Sequence, residues 1–352
     1  MAIRTPLGEQ VVDVSVVSWN SLHHLRSNLP ALIDQDYDSY RVVVVDNDSA
    51  DETADHVAQE FPDVDLVRCD RNGGYGAGNN LAFAHSRGKY VAVLNPDARP
   101  ERGWLRSLVR ALEERPDAAM ATSKVLLASN PGRVNACGNT VHISGIAVCR
   151  GLHDDQHAYV RMESVAAVSG AAFIARREAL DEIGGFDERF FMYMEDTELS
   201  LRARLAGWDI VLAPRSRVVH DYELTIPAQK FFYLERNRFL MLANIFRWRT
   251  LVALAPALAV AEAGVWWFAL RSGRGLVRAK LASYAAIARG ARTMLRQRRR
   301  VQAMRRVDDR ALLDQFDTAL PLGVSGGPSG ITRMANGFFR GYNAVLRRFV
   351  RW

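Results

Sequence analysis

Residues 90–97 read Tyr-Val-Ala-Val-Leu-Asn-Pro-Asp, and this stretch decides the predicted fold. Tyr90 to Leu94 is a short apolar run, typical of a strand that is buried on both faces of a parallel sheet. Pro96 has no N–H for a strand ladder, so the Asn-Pro-Asp that follows ends the strand in a turn. Asp97 is therefore predicted at the carboxyl end of a central strand, where open α/β sheets bind their ligands. Taken alone, an Asp that caps the following segment explains the stretch equally well.

Apolar runs and helical patterns alternate along the first half of the chain. We predict strands at residues 11–17, 41–45, 64–68, 90–94 and 118–122, and helices at residues 22–33, 52–60, 81–86 and 103–114. This alternation indicates an α/β fold with a mostly parallel, Rossmann-like sheet and right-handed crossovers. Residues 124–161 are irregular and predict hairpins and loops. Beyond them we predict strands at residues 165–175, 208–213 and 217–220, and helices at residues 176–183 and 197–206.

Three glycines, Gly74, Gly76 and Gly78, crowd into the segment after the third predicted strand. A dinucleotide-binding fingerprint is the obvious alternative, but its glycines belong in the first strand-to-helix turn, about 20 residues before the acidic residue. Here the glycines follow Asp46, and their spacing is GxGxG. We interpret the segment as a loop whose glycines let the backbone approach a sugar nucleotide, with a helix N-terminus available to its phosphates.

The net charge of +7 conceals an asymmetry along the chain. Residues 1–245 hold 26 Lys and Arg against 34 Asp and Glu, whereas residues 246–352 hold 20 against 5. The acidic part predicts a soluble enzyme body, and the basic part needs an anionic partner. The three cysteines form no CxxC and no close pair, which favours a reducing compartment over a disulfide framework. The N-terminus lacks the pattern of a secretion signal.

The C-terminal third predicts helices that associate with a membrane. Residues 251–270 form an apolar run long enough to span a bilayer, but Pro256, Glu262 and arginines on both sides argue against spanning. Residues 277–295 predict a basic amphipathic helix of the kind that lies on anionic lipid, and residues 331–352 a second one after a glycine-rich linker. Nucleic acid is the alternative partner for so many arginines, and the apolar stripe favours lipid over it.

Six motifs occur in one order along residues 11–240. They are Ser15-Val16-Val17-Ser18-Trp19-Asn20, Val44-Val45-Asp46-Asn47-Asp48-Ser49, Asn72 to Asn80, Leu94-Asn95-Pro96-Asp97, Gly184-Gly185-Phe186-Asp187-Glu188 and Met194-Glu195-Asp196. Together they resemble the family 2 inverting glycosyltransferases, and within that family the rhamnosyltransferase-like branch of bacterial cell-surface polysaccharide synthesis. The resemblance implies a GT-A-type sheet flanked by helices and a nucleoside diphosphate sugar as donor.

The resemblance also implies a donor site. Asp46 would accept a hydrogen bond from the N3–H of a uracil or thymine ring, and Ser18 and Asn20 would line that pocket. Gly76 and Asn80 belong to the glycine-rich segment that would meet the sugar nucleotide.

The remaining implied residues concern metal, catalysis and the diphosphate. Asn95-Pro96-Asp97 occupies the place of the family's DxD motif, so Asp97 would bind Mg²⁺ or Mn²⁺ with His220 as a further ligand. Asn95 replaces the first Asp of that motif and brings hydrogen bonding without charge. Asp196 would be the general base, and Glu195 would orient the acceptor or Asp196. Arg236 could hold the donor diphosphate, or belong to a basic helix edge.

We therefore predict a metal-dependent, inverting glycosyltransferase on the cytoplasmic face of the cell membrane. Its predicted domains are residues 1–243, the GT-A domain; 244–322, membrane-associated helices; and 323–352, a linker and a basic amphipathic segment. The expected donor is dTDP-L-rhamnose, with a UDP-hexose or UDP-galactofuranose as the alternative, and the expected acceptor is a lipid-linked or polysaccharide glycan. A sugar nucleotidyltransferase would need a basic, glycine-rich loop after the first strand, which Ser18-Trp19-Asn20-Ser21 is not. A non-catalytic scaffold that binds a sugar nucleotide remains open.

Overall fold

The computed structural model describes residues 12–320 and 329–352. The predicted start of the first strand at Val11 and most of the predicted linker, residues 323–328, lie outside that part. The chain divides into two compact units. The first comprises the described residues through Asn139, Cys149–Ala203 and Trp208–Leu224; the second comprises Thr140–Val148, Arg204–Gly207 and the described residues from Thr225 to Trp352. The predicted domain limits at 243 and 323 stay predictions.

Twelve strands are present in the described part of the chain. They are β1 (Val12–Ser18), β2 (Tyr40–Asp46), β3 (Asp65–Arg68), β4 (Tyr90–Leu94), β5 (Ala98–Pro100), β6 (Ala118–Leu127), β7 (Asn130–Ala136), β8 (Asn139–Val141), β9 (Ala147–Cys149), β10 (Glu163–Ser164), β11 (Ala172–Arg176) and β12 (Asp209–His220).

The same part of the chain contains twelve α-helices and one short 3₁₀ helix, Glu188–Phe190. The α-helices are α1 (Leu22–Ile33), α2 (Thr53–Glu60), α3 (Gly74–His85), α4 (Trp104–Glu114), α5 (Arg177–Ile183), α6 (Glu195–Leu205), α7 (Ala228–Ile245), α8 (Trp248–Ser272), α9 (Arg274–Arg289), α10 (Ala291–Ala303), α11 (Asp309–Leu313) and α12 (Ser329–Phe349).

The first unit is an α/β body around one large sheet, with strand order β10-β12-β6-β11-β4-β1-β2-β3. The pairs β4–β1, β1–β2, β2–β3 and β6–β12 are parallel, and β11 runs antiparallel between β4 and β6. All five residues of β4 are buried, as its apolar run predicts. This confirms the predicted mostly parallel α/β fold and the central position of the stretch at 90–94.

Several predicted elements need correction. The apolar stretch 165–175 is a strand only from Ala172, because Val168, Ser169 and Gly170 direct backbone N–H groups to the side chains of other elements. The predicted strands 208–213 and 217–220 are one strand, β12, which keeps its pairing with β6 across an irregularity between Ala213 and Arg217. Residues 124–136, predicted as irregular, complete β6 and form its partner β7.

A closed set of hydrogen bonds fixes β12 at this irregularity. The indole N–H of Trp104, a fully buried residue of α4, donates to the Ser123 hydroxyl at 2.9 Å. The Ser123 and Ser216 hydroxyls are 2.9 Å apart, and Ser216 Oγ donates to the Trp104 carbonyl at 3.1 Å. Three buried polar side-chain groups thereby satisfy one another and tie α4, β6 and β12 together.

Asp13 anchors the loop that precedes β4. This β1 residue is 1% exposed, and its Oδ2 accepts hydrogen bonds from the backbone N–H groups of Arg87 and Gly88, each at 2.7 Å. Its Oδ1 accepts from Arg41 Nε at 2.9 Å. The carboxylate thus sets where the chain enters the central strand.

We predict that Asp13→Ala lowers the free energy of unfolding by about 3 kcal/mol, because it leaves two backbone donors and a partly buried guanidinium without their acceptor. Asp13→Asn keeps one acceptor oxygen and should lose less. Urea unfolding followed by tryptophan fluorescence measures both. Equal midpoints for Asp13→Ala and the unsubstituted protein would contradict this account.

The second unit is mainly helical and also contains most of the β8–β9 pair. Helix α8 is long and apolar enough to cross a membrane by length and composition. The helix predicted at 277–295 is interrupted, since α9 ends at Arg289 and α10 begins at Ala291, with Gly290 between them. Inside the unit, Glu262 of α8 and Glu235 of α7 form ion pairs with Arg238 of α7 and Lys280 of α9. Arg238 and Lys280 are 1% and 0% exposed, so these opposite charges neutralise each other in a buried cluster.

Candidate active site

The carboxyl ends of three parallel strands bring the predicted donor residues to one edge of the sheet. Ser18 ends β1 and is in register with Asp46 at the end of β2. Asn95, Pro96 and Asp97 follow β4, which pairs with β1 on its other side. The backbone N–H of Asn95 donates to the Ala171 carbonyl at 2.9 Å, which ties this turn to the approach to β11.

Ser18 and Asp46 are buried with unused hydrogen-bonding capacity. Neither Ser18 Oγ nor Asp46 Oδ1 has a hydrogen-bond partner among the residues described. Asp46 Oδ2 accepts from Ser49 N at 3.3 Å. Asn20 is exposed and bridges the two loops: its N–H donates to Ser49 Oγ at 2.9 Å, and its Oδ1 accepts from Ala50 N at 2.7 Å. Its φ of 51° is a conformation that Asn tolerates better than most residues.

The glycine-rich segment is a helix rather than the predicted loop, because α3 begins at Gly74. A Cβ at Gly78 would lie 2.6 Å from Val17 Cγ1, and one at Gly76 would lie 3.0 Å from Phe186 Cβ. Gly74 combines a φ of 84° with a backbone contact to Phe191 that excludes any side chain. In this structure these glycines allow close packing of α3 against its neighbours.

The side-chain amide of Asn80 also holds α3 against a neighbouring segment. Its Oδ1 accepts from Phe186 N at 2.7 Å, and its Nδ2 donates to the Phe186 carbonyl at 2.9 Å and to Glu188 Oε1 at 3.0 Å. The amide of Asn80 therefore joins α3 to the loop that leads towards the acidic pair. The direct contacts to a sugar nucleotide expected of Gly76 and Asn80 stay predictions.

Asp97 and His220 come together as predicted for a metal site. Asp97 Oδ1 lies 3.2 Å from His220 Nε2, without hydrogen-bond geometry between them. On the other side of the ring, Nδ1 is 3.0 Å from Oδ1 of Asn135, a buried β7 residue, and Tyr222 stacks on the imidazole with centroids 5.6 Å apart. If Nδ1–H donates to Asn135, Nε2 is left facing the carboxylate.

This pair fits a divalent cation as part of a ligand set. Within residues 12–320 and 329–352, no group of three or more His, Cys, Asp or Glu side chains could hold a metal. A carboxylate oxygen and an imidazole nitrogen that face each other nevertheless suit a cation between them, and phosphate oxygens are hard ligands that complete such a set. Asn135, which the sequence did not single out, supports the imidazole in the way that outer partners orient metal-binding histidines.

The acidic pair begins α6, and its two carboxyl groups have different surroundings. Asp196 Oδ2 accepts from Gly170 N at 2.8 Å and from Asn139 Nδ2 at 3.0 Å, while Oδ1 accepts from the N–H and hydroxyl of Thr197 at 2.6 and 3.1 Å. Glu195 is buried, and its Oε2 has no partner in the described part of the chain.

These surroundings shift the pKa values of the two carboxyl groups. Burial, together with the adjacent Asp196 charge, raises the pKa of Glu195 to about 8. Burial also raises the pKa of Asp196, but the hydrogen bonds from Gly170, Thr197 and Asn139 favour its ionised form and oppose that rise. At neutral pH the pair therefore holds a protonated Glu195 beside an Asp196 whose ionised form is favoured by its hydrogen-bond donors.

Tyr75 of α3 links the two halves of the site. Its hydroxyl donates to the Gly170 carbonyl at 2.7 Å. Gly170 is also the residue whose backbone N–H donates to Asp196 Oδ2. Burial and the charges of Glu195, Asp196 and Asp97 raise the pKa of Tyr75 well above its ordinary value. The charges of the acidic pair and of the predicted metal ligand thus act on one phenol. Tyr75 lies inside the Asn72–Asn80 motif, but no sequence pattern singled out its hydroxyl, Asn139 or Gly170.

Arg236 lies on α7 in the second unit. Its Nε donates to Asn237 Oδ1 at 2.9 Å, and its guanidinium lies over the rings of Phe232 and Tyr233 at 5.4 and 4.9 Å from their centroids. Its predicted contact with the donor diphosphate stays a prediction.

The family profile described as "Glycosyltransferase like family 2" matches residues 9–240, about two-thirds of the chain. The chain is a family 2 glycosyltransferase. This confirms the resemblance on which the site residues were chosen.

Curated relatives of this glycosyltransferase include a rhamnosyltransferase. The N-acetylglucosaminyl-diphospho-decaprenol L-rhamnosyltransferase of Mycobacterium tuberculosis is 30% identical over 234 residues, which is 60% of this chain and 76% of that protein. An uncharacterised protein of Sinorhizobium fredii, y4gI, is 28% identical over 60% of this chain, and the match spans only 24% of its own length.

Solved structures agree on the fold of this glycosyltransferase. GalNAc-T7, crystallised with UDP, GalNAc and Mn²⁺, superimposes with a TM-score of 0.56 at 15% identity, covering 73% of this chain and 52% of that one. The likeness supports the GT-A-type architecture of the first unit.

We predict that Glu195→Gln becomes more stable relative to the unsubstituted enzyme as pH rises from about 5 to about 8. The unfolded chain releases this proton near pH 4.5 and the folded chain near pH 8. Between those values the unfolded state binds fewer protons, so the unsubstituted enzyme loses stability as pH rises, and a neutral amide does not titrate. Thermal unfolding of both proteins at several pH values measures the difference. A difference that stays constant with pH would refute the buried, protonated Glu195.

Proposed function

We propose that this glycosyltransferase moves a hexosyl group, with inversion, from a nucleoside diphosphate sugar to an acceptor hydroxyl. One observation supports the proposal above others. Buried polar atoms without a partner among the described residues gather at the carboxyl edge of the sheet and beside the acidic pair: Ser18 Oγ, Asp46 Oδ1, Asn95 Oδ1, Asn135 Nδ2 and Glu195 Oε2. Unsatisfied buried groups are costly in a folded protein, and a polar ligand that pairs with them removes that cost.

The donor's base would lie at Ser18 and Asp46. Asp46 Oδ1 is a free carboxylate oxygen that can accept the N3–H of uracil or thymine, whereas Ser18 Oγ can donate to a ring carbonyl. Asn95, after the next strand, offers an amide oxygen suited to a ribose hydroxyl. These contacts favour a pyrimidine nucleotide over a purine.

Asp97 and His220 would hold Mg²⁺ or Mn²⁺ together with the diphosphate. A cation in that position neutralises the charge that grows on the departing nucleotide. Because Asn95 supplies no charge, the chain's own ligands are few, and we expect the metal to bind chiefly in the presence of the donor.

Asp196 would serve as the general base, and the groups that surround it support this role. Glu195 is protonated at neutral pH, whereas Asp196 accepts four hydrogen bonds that favour its ionised form, so Asp196 is the member placed to take the proton of the acceptor hydroxyl as the new C–O bond forms and the bond to the diphosphate breaks. Its four donors fill the usual lone-pair positions, so the acceptor must displace one of the side-chain donors, Asn139 or Thr197. The protonated Glu195 can then donate to the acceptor and orient it.

For the finer assignment we propose dTDP-L-rhamnose as donor and a lipid-linked glycan as acceptor at the cytoplasmic face of the cell membrane. The name of the Mycobacterium tuberculosis relative gives L-rhamnosyl as the transferred group and N-acetylglucosaminyl-diphospho-decaprenol as the acceptor, while the nucleotide and the membrane face are part of this proposal. The alternative donor is a UDP-hexose or UDP-galactofuranose. A membrane surface with anionic lipids, and no nucleic acid, is the partner proposed for the basic C-terminal region.

A donor screen tests the function. The enzyme is incubated with dTDP-L-rhamnose, a UDP-hexose and a GDP-sugar, with lipid-linked acceptor and Mn²⁺ or Mg²⁺, and released nucleoside diphosphate is measured. We expect dTDP-L-rhamnose to be used best and the GDP-sugar least, and we expect EDTA or Asp97→Ala to weaken donor binding. A preference for the GDP-sugar would overturn the pyrimidine contact at Asp46, and no release from any donor would favour the non-catalytic scaffold.

We predict that Asp196→Asn lowers turnover by about 10²–10⁴-fold, the usual span for loss of a general base, with little change in donor affinity. Glu195→Gln retains a hydrogen-bond donor at the same place and should lose far less. Single-turnover kinetics with saturating donor compare the matched pair. If Glu195→Gln were the more damaging of the two, the base would be Glu195.

A further inference from the structure

The second unit contains an apolar surface whose geometry bears on how the enzyme meets the membrane. One face of α8 is packed within the unit, where Thr250, Leu254, Ala257, Ala261 and Ala269 are buried. The opposite face is exposed and carries no charge along its length: Trp248, Val252, Ala259, Ala263, Trp267 and Leu270. Apart from Glu262 and the arginines near its ends, helix α8 is therefore apolar, and its two sides have different surroundings.

Ion pairs hold the packed face of α8 against α7 and α9. Glu262 pairs with Arg238 and Lys280, and its carboxylate also accepts from the Tyr284 hydroxyl. Lys280 is fully buried, and Glu235 is its other acidic partner. If α8 left α7 and α9 to cross a bilayer, Glu262 would enter hydrocarbon without its cations, and two buried cations would lose an anion.

Helix α12 adds a second apolar surface beside the first. Its exposed apolar residues, Met334, Phe338, Val345 and Phe349, recur at helical spacing along one stripe. Tyr342 borders that stripe, stacks on Phe338 and donates its hydroxyl to the Ala253 carbonyl of α8 at 2.7 Å. Ala253 in turn adjoins the exposed face at Val252. The two apolar surfaces therefore meet where the helices touch.

Charge complementarity identifies what covers this surface. The exposed arginines Arg249 and Arg271 lie near the two ends of α8, and the exposed Arg348 lies beside the apolar stripe of α12, with the exposed Arg340 further round the same helix. Apolar residues flanked by arginines match the acyl chains and phosphates of an anionic leaflet. We propose that α8 and α12 form one monotopic lipid-binding face, in which α8 lies in the plane of the cytoplasmic leaflet and does not span the bilayer. This inference rests on the membrane association proposed above.

Cysteine labelling at the two ends of α8 tests the orientation. The full chain carries Cys69→Ser and Cys149→Ser, and Cys137 can remain because it is buried, which raises the pKa of its thiol to about 12. Single cysteines are then placed by Arg249→Cys or Ser272→Cys, both exposed positions. A membrane-impermeant maleimide is added to inside-out and right-side-out membrane vesicles from expressing cells.

A monotopic α8 labels at both positions in inside-out vesicles and at neither in right-side-out vesicles. A spanning α8 labels one position in each preparation, which overturns the inference while leaving the membrane association and the glycosyl transfer intact. Protein found wholly in the soluble fraction overturns the membrane association itself. The donor screen reads out the catalytic proposal separately from both.

Matched substitutions test the face. Val252→Asp on α8 and Phe349→Asp on α12 should each lower the membrane partition coefficient by about tenfold, the effect expected when an apolar side chain that enters the lipid is lost. Val160→Asp is the control, since Val160 is similarly exposed but belongs to the first unit. Binding is measured in about 1 M salt, where a Debye length of about 3 Å removes most of the arginine contribution. Equal binding of all three variants would refute the surface, as would conversion of an oligomer to a monomer by Val252→Asp with membrane binding unchanged.

Discussion

The parallel pairing of β1 with both β2 and β4 is the constraint on which the site depends. Because the three strands run the same way, Ser18, Asp46 and the turn at Asn95 emerge at one edge, although they are far apart along the chain. The antiparallel β11 then lies beside β4 and brings Gly170 to the same edge, where its N–H holds Asp196. The residues proposed to bind the donor and those proposed for acid–base catalysis therefore meet through sheet topology rather than through any one loop.

The residues best predicted from sequence are those whose local pattern and tertiary position agree. The run at 90–94 is apolar throughout and is buried on both faces, and Asp46 and Asp97 follow strands whose ends the sequence marks clearly. Asp97 and His220 were paired by resemblance, and the structure places them in contact.

Other features depend on contacts that a single sequence does not reveal. By local propensity the glycines of α3 predict a loop. In the structure there is no room for a side chain at these positions, because Val17, Phe186 or Phe191 packs against each glycine. Asn135 and Asn139 sit in a stretch without periodicity, so nothing in the pattern shows that one supports an imidazole and the other a carboxylate. The break at Gly290 was likewise hidden by a continuous amphipathic pattern.

The closed set of hydrogen bonds among Trp104, Ser123 and Ser216 has a consequence for the distant end of β12. Ser216 closes that set of hydrogen bonds at one of the two places where β12 departs from regular pairing with β6, and His220 follows four residues later, about 13 Å along the strand. Local opening of α4 would free the irregular segment to straighten, and the imidazole would move with it. The indole thus helps to hold His220 in place, so the position of this proposed metal ligand depends on a side chain that belongs to α4.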